Sequence, residues 1–318
     1  MRLLNGANSR YLNLRFSNGM SFVVIGNDQG YLKHPATTNN ILLTPGERAD
    51  IIVDFCPYAG KGGIILVNDA PAPYPGVAGE GFTPCQQGRI MMFNVSASTG
   101  ACDAEFDTAP FVNVETHNVV LAKETESVRT RDLVAYINHE TGDGVPRLGV
   151  RGPDGPILYE YEEPATEFVY NSTVEIWRIF NLSPESHPIH IHISAFTIIS
   201  RQGFEPKSFA ANGAVNLLGN PVGPDGFETG PKDVARADPY QVLTLLVKFS
   251  HKTGRYMWHC HMLEHEENAM MRPLILEAGL TKTDPIKKPN TPVGNSAVSM
   301  AYEAVFLLAI GVATLVLL

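Results

Sequence analysis

Basic residues are scarce in this chain: 24 Lys and Arg stand against 33 Asp and Glu, a formal net charge of −9. No basic stripe is left to neutralise phosphates, which excludes nucleic acid as a partner. A modest carboxylate excess usually serves solubility, and it also suits cationic substrates. Phosphate-cradling glycine patterns are missing as well. The glycine-rich stretch 142–156 (GDGVPRLGVRGPDGP) matches neither GxGxxG nor GxxxxGKS after a strand and is expected to be a loop. Cysteine is limited to Cys56, Cys85, Cys102 and Cys260. With Cys260 claimed by a motif described below, three remain. A Cys85–Cys102 disulfide is one arrangement the sequence allows without establishing it.

Long apolar segments are also lacking, apart from one at the carboxyl end. Met1–Gly6 has no apolar core of signal-peptide length. Residues 304–318 are apolar to the last position, but 15 residues fall short of the roughly 20 a spanning helix needs. The small residues Ser296–Ser299 and the stalk 281–303 before this tail fit a GPI-attachment signal, with a simple tail anchor as the alternative. Sequons at Asn94, Asn171 and Asn181 permit secretion. The expected location is extracellular or cell-surface.

What is present is a β pattern. Across 318 residues, 28 Gly and 23 Pro punctuate short β-branched and aromatic runs such as Ser21–Gly26, Ala49–Phe55, Gly63–Val67, Val174–Ile179 and Val242–Phe249. The length suits two ordinary domains, and the pattern predicts an all-β chain of two β-sandwiches. Residues 1–98 form the first expected domain, 99–110 a linker and 111–280 the second. Helix is expected only in short pieces, for instance around Met262–Glu267.

The second expected domain carries the chemistry. Trp258-His259-Cys260-His261-Met262-Leu263-Glu264-His265 is followed by Met270. Cys260, His265 and Met270 offer a thiolate, an imidazole and a thioether, which with one more histidine make the His₂Cys set with a weak axial Met of a blue copper site. On an extended segment side chains alternate, so His259 and His261 point to the face opposite Cys260. Upstream lies His187-Pro188-Ile189-His190-Ile191-His192. His190 and His192 share parity and His187 opposes them. The donors therefore sort into two sets: His187 with Cys260, His265 and Met270, and His190 and His192 with His259 and His261. Zinc is the rival metal, but it is normally satisfied by four ligands. Seven nitrogen and thiolate donors in two sets, with a single cysteine and a thioether, favour copper. His34, His117, His139 and His251 are read as ordinary histidines without metal.

The motifs HPIHIH and WHCHMLEHEENAM resemble the paired copper motifs of the multicopper oxidases, especially the spore-coat laccase, phenoxazinone synthase and bilirubin oxidase branch. RLLNGANSRYLNLRFSNGMSFVVIGNDQGYL and LLTPGERADIIVDF resemble the middle domain of that branch, and 115–277 its last. The resemblance implies two cupredoxin-like Greek-key sandwiches, the first without copper. It implies His187, Cys260 and His265 at a type 1 copper with Met270 axial, His190 at type 2, and His192, His259 and His261 at the type 3 pair. Glu266 falls where this branch carries an acid that helps deliver protons to oxygen, although in the acidic run Glu264–Glu267 it is equally a solvated charge.

By the same resemblance the chain is an oxidoreductase. A small-molecule or metal-ion reductant would give single electrons to the type 1 copper near His265 or His187, and O₂ would be reduced to water at the trinuclear cluster. An axial Met270 implies a lower potential than an apolar residue there. The substrate stays open among phenols, tetrapyrroles and cuprous or ferrous ions. One feature departs from the family: outside the two motifs no two histidines lie within five residues, so the His-x-His pairs of a first cupredoxin domain are missing. The type 1 set is complete and the trinuclear set half present. The expectation is a fragment whose missing amino-terminal part held a signal peptide and the first copper domain. The alternative is a blue copper electron-transfer protein without oxidase activity.

Overall fold

The structure, a computed structural model, describes residues 1–76, 88–97, 122–137 and 144–279, with Cys102 and Asp107 besides. Cys85, His117, His139, most of the expected linker and the carboxyl-terminal stalk and tail lie outside the described residues. Among the described residues no helix is long and apolar enough to cross a membrane.

Among the described residues the first half holds eight strands: β1 Arg2–Leu4, β2 Leu12–Phe16, β3 Phe22–Asn27, β4 Gly30–Thr38, β5 Asn40–Leu43, β6 Arg48–Ile52, β7 Gly62–Asn68 and β8 Arg89–Val95. They build two four-stranded sheets, ordered β1-β6-β3-β4 and β5-β2-β7-β8. Alternation dictates this packing. In β3, Phe22, Val24 and Ile25's neighbour Gly26 mark the period of two, with Phe22 and Val24 buried and Val23 and Ile25 half-buried. Leu14, Phe16, Phe22, Val24, Ile41, Ile51 and Leu66 fill the space between the sheets. Each such side chain contributes about 1.5–3 kcal/mol by leaving water.

The second half continues with β9 Ser127–Tyr136, β10 Arg147–Gly152, β11 Gly155–Tyr159, β12 Glu167–Tyr170, β13 Thr173–Asn181, β14 His187–Ile191, β15 Ser194–Phe204, β16 Leu217–Val222, β17 Val234–Ala237, β18 Gln241–Phe249, β19 Gly254–Cys260 and β20 Met271–Glu277. A seven-stranded sheet, β11-β10-β9-β13-β18-β15-β16, faces a five-stranded one, β12-β20-β19-β14-β17. Trp177, Leu245 and Phe249 from one sheet meet Ile189, Trp258, Cys260 and Leu274 from the other. The fold is all-β, two cupredoxin-like sandwiches. Among the described residues two short α-helices interrupt it: α1, Pro206–Asn212, and α2, Leu263–Glu266.

Two expectations are corrected. From Arg147 onward the glycine-rich stretch is a hairpin, β10 and β11 joined at Pro153-Asp154. Proline presets the first corner of the turn and Gly155 takes φ +127°, while at Gly149 a Cβ would collide with the Ile157 carbonyl, so these glycines serve close strand packing. The disulfide joins Cys102 to Cys56 rather than to Cys85. Cys56 sits in the turn after β6, and folding, not sequence spacing, sets its distance from Cys102. The sequon at Asn181 is also no acceptor in the folded chain, because its side chain is fully buried and donates to the carbonyls of Glu185 and Ala237.

Candidate metal centre

Pairing of β14 with β19 creates the site. Ile189 lies opposite Cys260, His190 opposite His259 and Ile191 opposite Trp258. Side chains of directly opposed residues share a face. Ile189, Ile191, Trp258 and Cys260 accordingly enter the sandwich core, and His190 and His259 project from the other side.

On the core side, the Nδ1 atoms of His187 and His265 approach the Cys260 Sγ to 3.8 and 3.7 Å. These three residues form one potential metal-binding group. Their remaining ring nitrogens are engaged: His187 Nε2 with the Ser183 hydroxyl at 2.9 Å, and His265 Nε2 with the Glu185 carboxylate at 3.5 Å. Such outer partners orient a ligating imidazole. α2 carries His265 back toward the strand. Met270 then closes the loop, its carbonyl accepting from the Cys260 N–H at 3.0 Å and its own N–H donating to the His265 carbonyl at 2.9 Å. Ala269 adopts φ +73° to make this turn, and Met270 is fully buried in the same core cluster as Cys260. Ser183 and Glu185 carried no signal in the sequence.

On the other side, His190, His192 and His259 form a second potential metal-binding group. His192 Nε2 lies 3.1 Å from His259 Nε2. His261 stands beside them, its ring 5.7 Å from that of His190 and 5.6 Å from that of His259. Glu266 lies against this group, a carboxylate oxygen 3.2 Å from His259 Nδ1. His34 and His251 are in neither group.

Residues 143–279 match the multicopper oxidase family model. The laccase of Bacillus subtilis is 34% identical over 296 residues, covering 90% of this chain and 51% of its own length. "Multicopper oxidase LPR1 homolog 3" of Oryza sativa is 34% identical over 316 residues, covering 87% of this chain and 57% of its own. Residues 143–279 belong to the multicopper oxidase family, and the chain is similar to members of that family over most of its length. In fold it is similar to the McoA multicopper oxidase of Aquifex aeolicus, with a TM-score of 0.63 at 24% identity, covering 87% of this chain and 55% of that one. The chain spans about half the length of the curated relatives it matches.

Electrostatics suit both groups to a cation. Burial pushes the Cys260 thiol well up, so a thiolate there needs a positive neighbour in place of its proton. Burial, helped by repulsion from His265, pushes His187 well below the usual imidazole range. Burial also lowers His190 to about 4 and depresses His192 and His261. Near neutral pH these rings are uncharged and keep lone pairs, the form a metal binds. Burial opposes the charge on Glu266, yet the contact with His259 and the surrounding imidazoles hold it below the usual carboxylate range. One expectation narrows: His187 is fully buried, whereas the His265 side chain keeps 13% exposure. A cavity of about 400 Å³ lined by Arg10, Tyr11, Tyr74, Glu185 and Met262 lies on the His265 side.

Proposed function

We propose that this chain carries the type 1 copper site and four trinuclear-cluster ligands of a laccase-like oxidase. The carrying observation is Cys260 itself, buried in the first donor group, with His259 of the second group and His261 beside it as its covalent neighbours. The donor chemistry fits copper: one buried thiolate, two imidazole Nδ1 atoms and a buried Met on one side, imidazoles alone on the other.

Copper held by His187, Cys260, His265 and Met270 would exchange single electrons with a reductant, and copper held by His190, as type 2, and by His192, His259 and His261, as type 3, would reduce O₂ to water with further imidazoles from outside this sequence. The chain's residues do the rest. Ser183 and Glu185 hold the rings of His187 and His265 so that both Nδ1 atoms face the sulfur. The core around Cys260 excludes water. The Cys260 backbone provides a short covalent path from sulfur to the flanking imidazoles. Glu266, ionised at neutral pH and set against His259 Nδ1, takes up and returns protons on the oxygen side. A small-molecule or metal-ion reductant approaches at His265, the half of the pair that meets solvent. The Cys56–Cys102 disulfide suits an oxidising compartment, which supports an extracellular or cell-surface location with residues 304–318 as a GPI signal or tail anchor.

Copper stoichiometry, visible and electron paramagnetic resonance (EPR) spectra and oxygen uptake on the 318-residue chain test this. One blue copper with no oxygen consumption is expected of the chain alone, and oxygen uptake should appear once the complementary imidazoles are supplied. A chain that takes no copper at Cys260 would sink the proposal. A complemented chain without oxygen uptake would leave only the electron-transfer alternative.

A further inference from the structure

The first half reaches the imidazole group through a partly buried ionic clamp. Arg48, at the start of β6, donates from Nη1 to Asp233 Oδ1 at 2.6 Å and from Nη2 to Asp233 Oδ2 at 2.7 Å. Gln29 adds a third donor to the same carboxylate, at 2.5 Å. Arg48 is itself held, by the carbonyls of Gly46 and Asp28, each at 2.9 Å. The neighbouring Lys232 is inserted between Asp28 and Glu47, at 2.9 and 3.0 Å. Lys232 is 3% exposed and Asp233 7%, so water screens the Lys232 contacts little, while the Arg48 side chain keeps 34% exposure and its pairing rests on the two-point geometry. Residues 232 and 233 are thus gripped by the β3–β4 turn and the start of β6 just before β17 begins.

The grip continues into the donor group. The Asp233 carbonyl accepts from the Ile191 N–H at 3.3 Å and lies 2.7 Å from His190 Nδ1. A carbonyl oxygen only accepts, so in this contact Nδ1 carries the proton and Nε2 the lone pair. We propose that Arg48 is a positioning residue for the imidazole group: by clamping the Asp233 side chain it fixes the carbonyl that holds His190 in its Nδ1–H form, with Nε2 presented to a metal. A bidentate guanidinium is the side chain for this task, because two parallel hydrogen bonds fix orientation where an ammonium fixes only position. This inference rests on the reading of the group as a metal site, and it gives the first half a role in that site without any ligand of its own.

The test uses the full chain, native and as Arg48→Met and Arg48→Lys, with ¹⁵N-labelled histidine. In the metal-free protein, long-range ¹H–¹⁵N spectra report which nitrogen of each imidazole is protonated, with His190→Gln to assign the signal. Native His190 is expected as a single Nδ1–H form. Arg48→Met should give a mixture of forms at His190 while His187 and His265 stay unchanged. Arg48→Lys, which keeps the charge and loses the fork, should give a smaller shift in the same direction and serves if the Met variant fails to fold. Titration with Cu²⁺ should then weaken binding at the imidazole group by roughly 10- to 100-fold in Arg48→Met, the range typical of an outer partner. The blue band from Cys260 acts as internal control and should not change. A folded Arg48 variant with native His190 signals and native copper affinity overturns the proposal. Shifted His190 signals in a chain that takes no copper at this group would overturn the metal reading alone and leave the positioning of His190 standing.

Discussion

The Nε2 atoms of His192 and His259 face each other at 3.1 Å across 67 positions of sequence. His192 follows β14 and His259 lies on β19, and the contact between their nitrogens needs a proton on one of them or a metal between them. His192→Ala removes one partner. It should weaken copper binding at the imidazole group by at least the roughly tenfold that loss of a mere outer partner causes. The blue band should persist, because Cys260 points to the opposite face; its loss in a copper titration would refute the separation of the two groups.

Cys260→Ser should abolish the intense blue absorption, since a hydroxyl cannot supply the thiolate. A band retained in the serine variant would refute the assignment of Cys260. His190→Ala provides the complementary case and should leave the band intact.

Gly46 holds a backbone conformation of φ +84°, and a Cβ there would stand 2.6–2.8 Å from ring atoms of His261. Gly46→Ala combines left-handed strain with a forced shift of that ring. The strain alone should cost about 1–3 kcal/mol, read as a lower urea midpoint. The copper EPR signal of the imidazole group should change while the blue band does not.

Glu228 is 3% exposed and bonded by both Nη atoms of Arg201, at 2.7 and 2.8 Å. Burial works against its charge, but Arg201 prevails and holds the carboxyl down to about 2. A depressed carboxyl contributes stability above its unfolded value of 4.5 and loses it as pH falls toward 2. Acid should therefore remove about 3 kcal/mol through this residue across that window. Glu228→Gln should lower stability at pH 7 by about 3–5 kcal/mol through the unpaired Arg201 and flatten that part of the pH profile, as denaturant titrations would record.

The Cys56–Cys102 bond closes a loop with a sequence separation of 46. Cys56→Ser should lower stability by about 2–4 kcal/mol. Reductant should lower the melting temperature of the native chain and leave that of the serine variant unchanged.

Parity along two short strands was enough to read the division of donors, because β14 and β19 are extended and pair in the register that puts Ile189 opposite Cys260. Short β-branched and aromatic runs likewise exposed β3, β6, β7, β13 and β18. The helix α1 was legible only in retrospect: Glu205 caps it, accepting from the N–H groups of Lys207 and Ser208, with Pro206 following and Gly213 ending it in the left-handed region. In the glycine-rich stretch, composition pointed to a loop while the close approach of β10 and β11 demanded those glycines. Arg48, Asp233, Ser183 and Glu185 left no local trace. Arg48 meets Asp233 across 185 positions, and only the packing of the two halves makes them partners. The cysteine pairing was hidden for the same reason.

Tyr11 and Ala70 belong to the first half in sequence, yet both are buried in the hydrophobic cluster that contains Trp258 and Cys260. Tyr11 also stacks on Tyr74, with ring centroids 4.6 Å apart. Residues 122–279 on their own would have a void where that ring sits, and Lys232 would lose both of its carboxylates. The two sandwiches consequently share one cooperative unit of stability, and calorimetry of the intact chain should record a single melting transition rather than one for each half.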